Sequence, residues 1–409
     1  MRKNSHFNGQ PLYGQVIKLL DKSKILQVSR ENGGERYIKH FNCWIHLVVM
    51  LYAVIMRFDS LREITASLLA ETRKLAHLGI TFKIGRSTLA DANRRRSGAI
   101  FESIYHDLYA TYRNLLSSDS RSRKTPKWMK RLQIIDSTTI TLFSNLLFKG
   151  VGRHPKTGKK KGGIKVHTVI HANEGVPSDI KFTSAATNDS FMLKPSMLSN
   201  GDIMAMDRAY IDYEKFEQLT QRGVIYVTKM KKNLKYSILS DTMYQTQEGL
   251  MEVRIQNVEF VKQLKGGGTI HHKSRIVTYV DVKKRKLISL LTNDMKSDPE
   301  EIIAIYRQRW EIELLFKQMK QNFPLKYFYG ESANAIKIQI WVTLIANLLL
   351  MVMQKGLTRK WSFSGLATMV RITLMYYVDF LSLFNHPEKE WEIILSEASG
   401  APPEPSLFD

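Results

Sequence analysis

The feature that most constrains this chain is a change of hydrophobic period near residue 132. From Leu12 to about Leu116 apolar residues recur every three to four positions, which predicts a helical domain. Beyond that point LQIIDSTTITL (132–142), GIKVHTVIH (163–171) and VPSDIKFTSA (176–185) are β-branched and bounded by turn residues, so they predict three consecutive strands. DIMAMDRAY (202–210) reads as a fourth strand running into the helical YEKFEQLTQRG (213–223), and VIYVTKMKK (224–232) as a fifth. The order β, β, β, β, α, β predicts an α/β fold whose sheet opens antiparallel. In the second strand Ile164, Val166, Thr168 and Ile170 fall on one face, expected to be core, while Lys165, His167 and His171 fall on the other, expected to be polar.

Residues 233–297 change character. EVRIQNVEFV, SRIVTYVDV and KLISLLTN are short β pieces broken by three glycines at 266–268 and by basic turns, which predicts a β-rich insertion. DPEEIIAIYRQRWEIELLFKQMKQNF (298–323) then predicts one long helix, with Asp298 as N-cap, Pro299 at the first helical position and Glu300 and Glu301 in the first turn. Ser-rich, basic SSDSRSRKTPKWMKR (117–131) reads as a linker, and Pro-rich SGAPPEPSLFD (399–409) as a disordered tail. The domain plan is therefore a helical N-terminal domain (1–120), a core in two parts (130–232 and 298–355) around the insertion (233–297), and a helical C-terminal region (356–398).

Charge and composition narrow the partner. Sixty-one Lys and Arg against 38 Asp and Glu leave a formal charge of +23, which a polyanion would offset, and nucleic acid is the natural one. Cys43 is the only cysteine, so no intrachain disulfide forms, and the basic start lacks the apolar run of a signal peptide; a reducing cytoplasm is expected. WIHLVVMLYAVIM (44–56) and IQIWVTLIANLLLMVM (338–353) fall short of the ~18 residues of a membrane span, so both are expected to be buried core helices.

Three carboxylates draw the chemistry together. Asp136 sits inside an otherwise apolar strand, where an unpaired carboxylate would cost several kcal/mol. Asp207 lies where a second short strand runs out. Either alone is more often a turn or capping residue than a ligand. On the 298–323 helix Tyr306, Arg309, Glu313 and Lys320 share an arc of about 60° beside the apolar stripe of Ile305, Ile312, Leu315, Phe316 and Met319. That ridge reads either as an exposed row with a Glu313–Lys317 pair or as the third carboxylate of a site. In the second case hard Mg²⁺ or Mn²⁺ would take the oxygen ligands Asp136, Asp207 and Glu313, with Arg309 and Lys320 on phosphates.

Other chemistries fit less well. GRHPKTGKK (152–160) lacks the spacing and the Ser or Thr of a phosphate-binding Walker loop. His167 and His171 are four apart in a strand without a third ligand, which favours a polar face over zinc. GRSTLADANRRR (85–96) predicts a helix, capped by Ser87 or Thr88, that presents Arg94, Arg95 and Arg96 to DNA or to solvent. The basic stretches RSRKTPKWMKR, KGVGRHPKTGKKKGGIK, which includes Lys165, and KMKKNLK mark a DNA path.

Tyr306, Arg309, Glu313 and Lys320 stand at the spacing Tyr, two residues, Arg, three residues, Glu, six residues, Lys, and so the chain resembles the DDE transposases of bacterial insertion sequences, in particular insertion-sequence family four. IIDSTTI resembles that family's first aspartate strand, MDRAYID its second, and GVIYVTKMK the strand before its β insertion; the likeness covers about residues 40–350. The resemblance implies a ribonuclease H-like mixed-sheet core interrupted by the insertion, with helical regions at both ends. It implies two metal ions, Asp136 bridging them and Asp207 and Glu313 each completing one shell. It further implies metal-dependent cutting of the element's ends and strand transfer, contacts of Tyr306, Arg309 and Lys320 with phosphates, Trp310 near a displaced base, terminal inverted repeats bound by the N-terminal domain, and a homodimer holding paired ends on double-stranded DNA near the nucleoid. Two alternatives remain open: a structure-selective nuclease of the same fold without strand transfer, and a DNA-binding protein that has lost catalysis.

Overall fold

The structure is a computed structural model and describes residues 9–117, 125–141, 163–245, 252–264, 267–281 and 285–389. The loop at 152–160, residues 118–124 of the linker and the tail at 399–409 lie outside the described residues. In chain order the helices α1 (Leu12–Ile17), α2 (Lys22–Glu31), α3 (Cys43–Met56), α4 (Leu61–Ala70), α5 (Thr72–Leu75), α6 (Arg86–Arg95) and α7 (Gly98–Leu116) come first. The strands β1 (Leu132–Thr141), β2 (Gly163–His171), β3 (Pro177–Ser184) and β4 (Ile203–Met206) follow, then α8 (Tyr213–Gln221), β5 (Ile225–Lys229), β6 (Ser237–Gln245), β7 (Glu252–Gln263), β8 (Thr269–Asp281) and β9 (Lys286–Thr292). Helices α9 (Pro299–Gln308), α10 (Trp310–Asn322), α11 (Ala333–Lys355), α12 (Phe363–Thr373) and α13 (Phe380–Asn385) complete the chain. These elements form two units, one of residues 1–112 with 319–409 and one of residues 113–318.

The first unit is helical because its two most apolar segments are apolar all round. In α3 every residue from Cys43 to Ile55 is buried, the Asn42 side chain accepts from the Ile45 amide, and Arg57 closes the helix in the left-handed conformation. Helix α11 is long and apolar enough to cross a membrane, yet 89% of that window is buried inside the protein. It packs against α3, α12, α6 and α1, as expected of a core helix. Each fully buried Leu, Ile or Val contributes about 1.5–3 kcal/mol. Cys43 is buried within this core, and desolvation pushes its thiol up to about 11, so it stays a neutral thiol.

The second unit is built on one nine-stranded sheet in the order β3-β2-β1-β4-β5-β9-β8-β7-β6. Strand β2 runs antiparallel to β1 and β3, while β1, β4 and β5 are mutually parallel neighbours. The β pieces after residue 233 do not form a separate body: β9 pairs with β5 through Val227–Lys229, and β8, β7 and β6 extend the same sheet outward. Strand β2 also departs from the expected two-faced pattern. His167 is buried, and Val169, on its supposedly polar face, joins Ile135, Met206, Phe216, Tyr226, Phe260 and Leu291 in the core. Helix α8 is fixed to the outer strands by polar contacts, Glu217 to His272 Nδ1 at 2.8 Å and His272 Nε2 to the Tyr226 hydroxyl at 2.7 Å.

Candidate active site

Register explains how two carboxylates 71 positions apart meet. In the parallel pair of β1 and β4, Ile135 lies opposite Met206, so the next residues, Asp136 and Asp207, stand side by side on strands about 4.8 Å apart. Strand β4 ends there. Asp207 caps the following 3₁₀ turn (Arg208–Tyr210), accepting from the Arg208 amide. Asp136 accepts from the Ser137 amide at 2.8 Å.

The third carboxylate arrives on a helix pair. Helix α9 packs over β4, β5 and β9 through buried Ile302, Ile303 and Ile305. Pro299 occupies the first helical position as expected, but the Asp298 side chain makes no capping bond. The single helix expected over 298–323 is broken at Arg309, which lies between α9 and α10. The guanidinium of Arg309 reaches two of the acids: Nη2 donates to Glu313 Oε1 at 2.6 Å, and Nη1 lies 3.5 Å from Asp136 Oδ2. Arg309 also lies over the Tyr306 ring at 5.7 Å, and its buried Nε has no partner.

Electrostatics tie the group together. Desolvation raises the Asp136 carboxyl to about 6, the Ser137 amide and Arg309 oppose that rise, and the charges of Asp207 and Glu313 add to it. Burial likewise raises the Tyr306 phenol, with Arg309 pulling it back and Asp207 pushing it further. Asp136, Asp207, Glu313, Arg309 and Tyr306 are therefore one electrostatic cluster. Among the described residues no three acids, histidines or cysteines stand ready-placed around a metal position.

Trp310 follows directly, with 52% of its surface exposed. Lys320, about two turns beyond Glu313 on α10, is exposed and lies outside this unit. Lys165 is drawn inward: its ammonium donates to the Thr187 carbonyl at 2.7 Å and lies 3.2 Å from Asp189. Arg94 and Arg95 are exposed in the last turn of α6, both paired with Asp91, while Arg96 is buried. That helix starts after Gly85 with no side-chain cap, so neither Ser87 nor Thr88 has the capping role expected of it. His167 is buried and bonds Thr183 through Nε2 at 2.7 Å.

Two neighbours of the cluster escaped sequence reasoning. Asp189 accepts from the Ser137 hydroxyl at 2.6 Å as well as from Lys165. Tyr210 is wholly buried, its hydroxyl has no hydrogen-bond partner, and after burial the charges of Asp136 and Asp189 are what hold its phenol neutral. Tyr210 sits three residues after Asp207, within the MDRAY motif, which is the one signal that pointed to it. Nothing local marked Asp189.

Comparison with known proteins decides the family. Residues 127–349, more than half of the chain, match the family model described as a transposase DDE domain. The chain belongs to the DDE transposase family. Residues 8–81 match a second model, described as a domain of unknown function. Curated relatives of this DDE transposase include "Putative transposase y4zB" of Sinorhizobium fredii, 29% identical over 65% of this chain and 70% of that one. "Probable transposase for insertion sequence element IS5377" of Geobacillus stearothermophilus is 27% identical over 56% of this chain and 58% of its own. "Putative transposase for insertion sequence element IS4SA" of Synechocystis is 26% identical over 64% and 70%. A solved piggyBac transposase synaptic complex with hairpin DNA aligns at 11% identity and a TM-score of 0.43 over 96% of this chain and 86% of that one.

Proposed function

We infer that this transposase cuts the ends of an insertion sequence and joins them to target DNA, with Asp136, Asp207 and Glu313 as its catalytic carboxylates. The observation that carries this is the convergence of Asp136 and Asp207, at the same level of two parallel neighbouring strands, with Glu313 through a shared arginine. The strand order β3-β2-β1-β4-β5, with β2 alone reversed among β1, β2, β4 and β5, supports a ribonuclease H-like core, and the outer strands β6 to β9 correspond to the insertion.

The donor set fits a divalent metal. Three carboxylates supply hard oxygen ligands, and Asp136, desolvated and pressed by two like charges, is a group whose charged form a cation would favour. A bound Mg²⁺ or Mn²⁺ pair would polarise the scissile phosphodiester and the attacking hydroxyl or water. Asp136, Asp207 and Glu313 are the residues to hold it, and Arg309 must turn away from Asp136 for them to do so. The freed guanidinium, stacked on Tyr306, is then available to pair bidentately with a DNA phosphate. Trp310 offers an exposed ring beside it for an unpaired base, and Lys320 a further phosphate contact. A homodimer holding two ends, with the helical first unit on the terminal repeats, completes the assignment.

The test is cleavage of a duplex carrying the element's own end in Mg²⁺ or Mn²⁺, comparing the intact protein with Asp136→Ala, Asp207→Ala and Glu313→Ala. Each substitution is expected to abolish cutting with DNA binding retained. Normal cutting by Glu313→Ala would remove the helix from the site. Cutting without joining would reassign the chain as a nuclease.

A further inference from the structure

The first unit contains a second basic feature that the carboxylate site does not use. A cavity of about 480 Å³ lies between the loop at 32–41 and α6, lined by Arg36, Lys39, Arg95 and Arg96 with Asp91 as the one acid among its charged lining residues. Arg96 is the buried part of it, only 5% exposed. Its Nε and Nη2 donate to the carbonyls of Gly34 and Phe41 at 3.3 and 2.9 Å, and Nη1 has no partner. No carboxylate comes within ion-pair distance of Arg96 among the described residues; Glu35 instead accepts from the Ser29 hydroxyl and the Cys43 amide. A buried guanidinium with an unused donor is costly unless an anion offsets it.

The rim is equally unusual. Tyr37 has φ 58°, a left-handed conformation that costs a non-glycine residue about 1–2 kcal/mol, and its side chain is completely exposed at 102%. Since the two carbonyls that Arg96 ties leave Nη1 without a partner, neither cost has a full return inside the unit. Both have one if the loop grips something outside, because a phenol hydroxyl and exposed Lys and Arg side chains are groups that hold DNA backbones in register.

We propose that the cavity between the 32–41 loop and α6 is a phosphodiester-binding subsite, in which Arg96, Arg95 and Lys39 seat one backbone phosphate of the element's DNA and Tyr37 closes over the adjoining sugar. The subsite rests on the assignment of DNA as substrate. It differs from that assignment in predicting where, outside the carboxylate cluster, a defined phosphate is held.

Fluorescence anisotropy of the full chain on a labelled duplex carrying the element's end, across a series of salt concentrations, tests it. Because Arg96 also ties Gly34 to Phe41, the rim is altered instead: Lys39→Gln with Arg95→Gln, set against Lys355→Gln with Lys360→Gln, a control of equal charge on exposed positions. The rim pair is expected to weaken binding about tenfold and to lower the slope of log Kd against log salt by about 1. Equal losses in rim and control pairs, or none in either, overturn the subsite, because only bulk charge would then matter. Inorganic phosphate supplies the other arm. If it raises the melting temperature of the wild type but not of the rim pair, while both bind duplex alike, the cavity takes free phosphate and the DNA subsite is wrong. Failure of the wild type to cut DNA would sink the proposed activity without touching these binding results.

Discussion

Arg309 holds together two carboxylates that otherwise repel, and its removal therefore has a calculable effect. Its side chain is 14% exposed, Asp136 is 19% and Glu313 34% exposed, so the Asp136 contact is only partly screened and the Glu313 contact needs discounting. Two unit charges 4 Å apart attract by about 4 kcal/mol at an effective dielectric of 20, and desolvation takes back a good part of that. A net loss of about 2–3 kcal/mol is expected for Arg309→Met, which keeps the apolar stem over Tyr306 and deletes the charge. For a unit of this size that lowers the melting temperature by about 4–12 °C in the presence of a chelator. The same change should tighten Mn²⁺ binding, because the cation no longer competes with a guanidinium: 2–3 kcal/mol corresponds to about 30–150-fold. Paired melts with and without Mn²⁺, and calorimetric titration of the metal, read both effects. DNA cleavage should nevertheless fall, since the phosphate contact is gone. If Arg309→Met melts like the wild type in chelator, or binds Mn²⁺ no more tightly, the bridging role assigned to Arg309 is wrong.

Two further outcomes concern the helical unit. Burial, reinforced by the nearby Arg96 charge, pushes His46 down to about 3 from 6.5, against the Asn93 bond. The unfolded chain therefore takes up the proton first, so the contribution is fully present above about pH 6.5 and is lost as pH falls toward 3, amounting to about 2 kcal/mol at pH 5. Hydrogen exchange of the α3 amides between about pH 7 and 5, corrected for intrinsic rates, should show that loss of protection, and an unchanged protection free energy would count against it. Asn334 donates to the carbonyls of Asn93, Arg94 and Arg96 at 3.0, 3.2 and 2.7 Å and accepts from the Gly98 amide at 2.9 Å. Asn334→Ala strips these partners from the end of α6 and should cost about 2–3 kcal/mol, read by chemical denaturation; Asn334→Asp, which keeps only the acceptor, should not rescue it.

What the sequence carried and what it lost divide along the range of the interactions. Strands β1 to β5 and helix α8 are legible because each has a local pattern, and Asp136 is conspicuous because it interrupts one. The meeting of Asp136 with Asp207 is not local: it depends on the parallel register of Ile135 with Met206, which no window of residues encodes. Strand β6 escaped because SILSDTMYQ is an edge strand exposed along almost its whole length, so no face needed apolar residues and no alternation arose. The outer strands looked like an insertion because, among the described residues, their only pairing with the inner strands is the short one between β5 and β9. The break at Arg309 is invisible for the opposite reason. Apolar spacing continues unbroken from Ile305 through Ile312 to Met319, so the periodicity that makes the helix evident also conceals the kink. Arg309 keeps a right-handed helical conformation at the break and pairs with Glu313 one turn on, as on a continuous helix; what the helix pattern cannot show is its other partner, Asp136 on β1. The spacing of Tyr306, Arg309 and Glu313 identifies the residues; the register that sets Asp136 beside Asp207, and the contact of Arg309 with Asp136, are what turn them into a site.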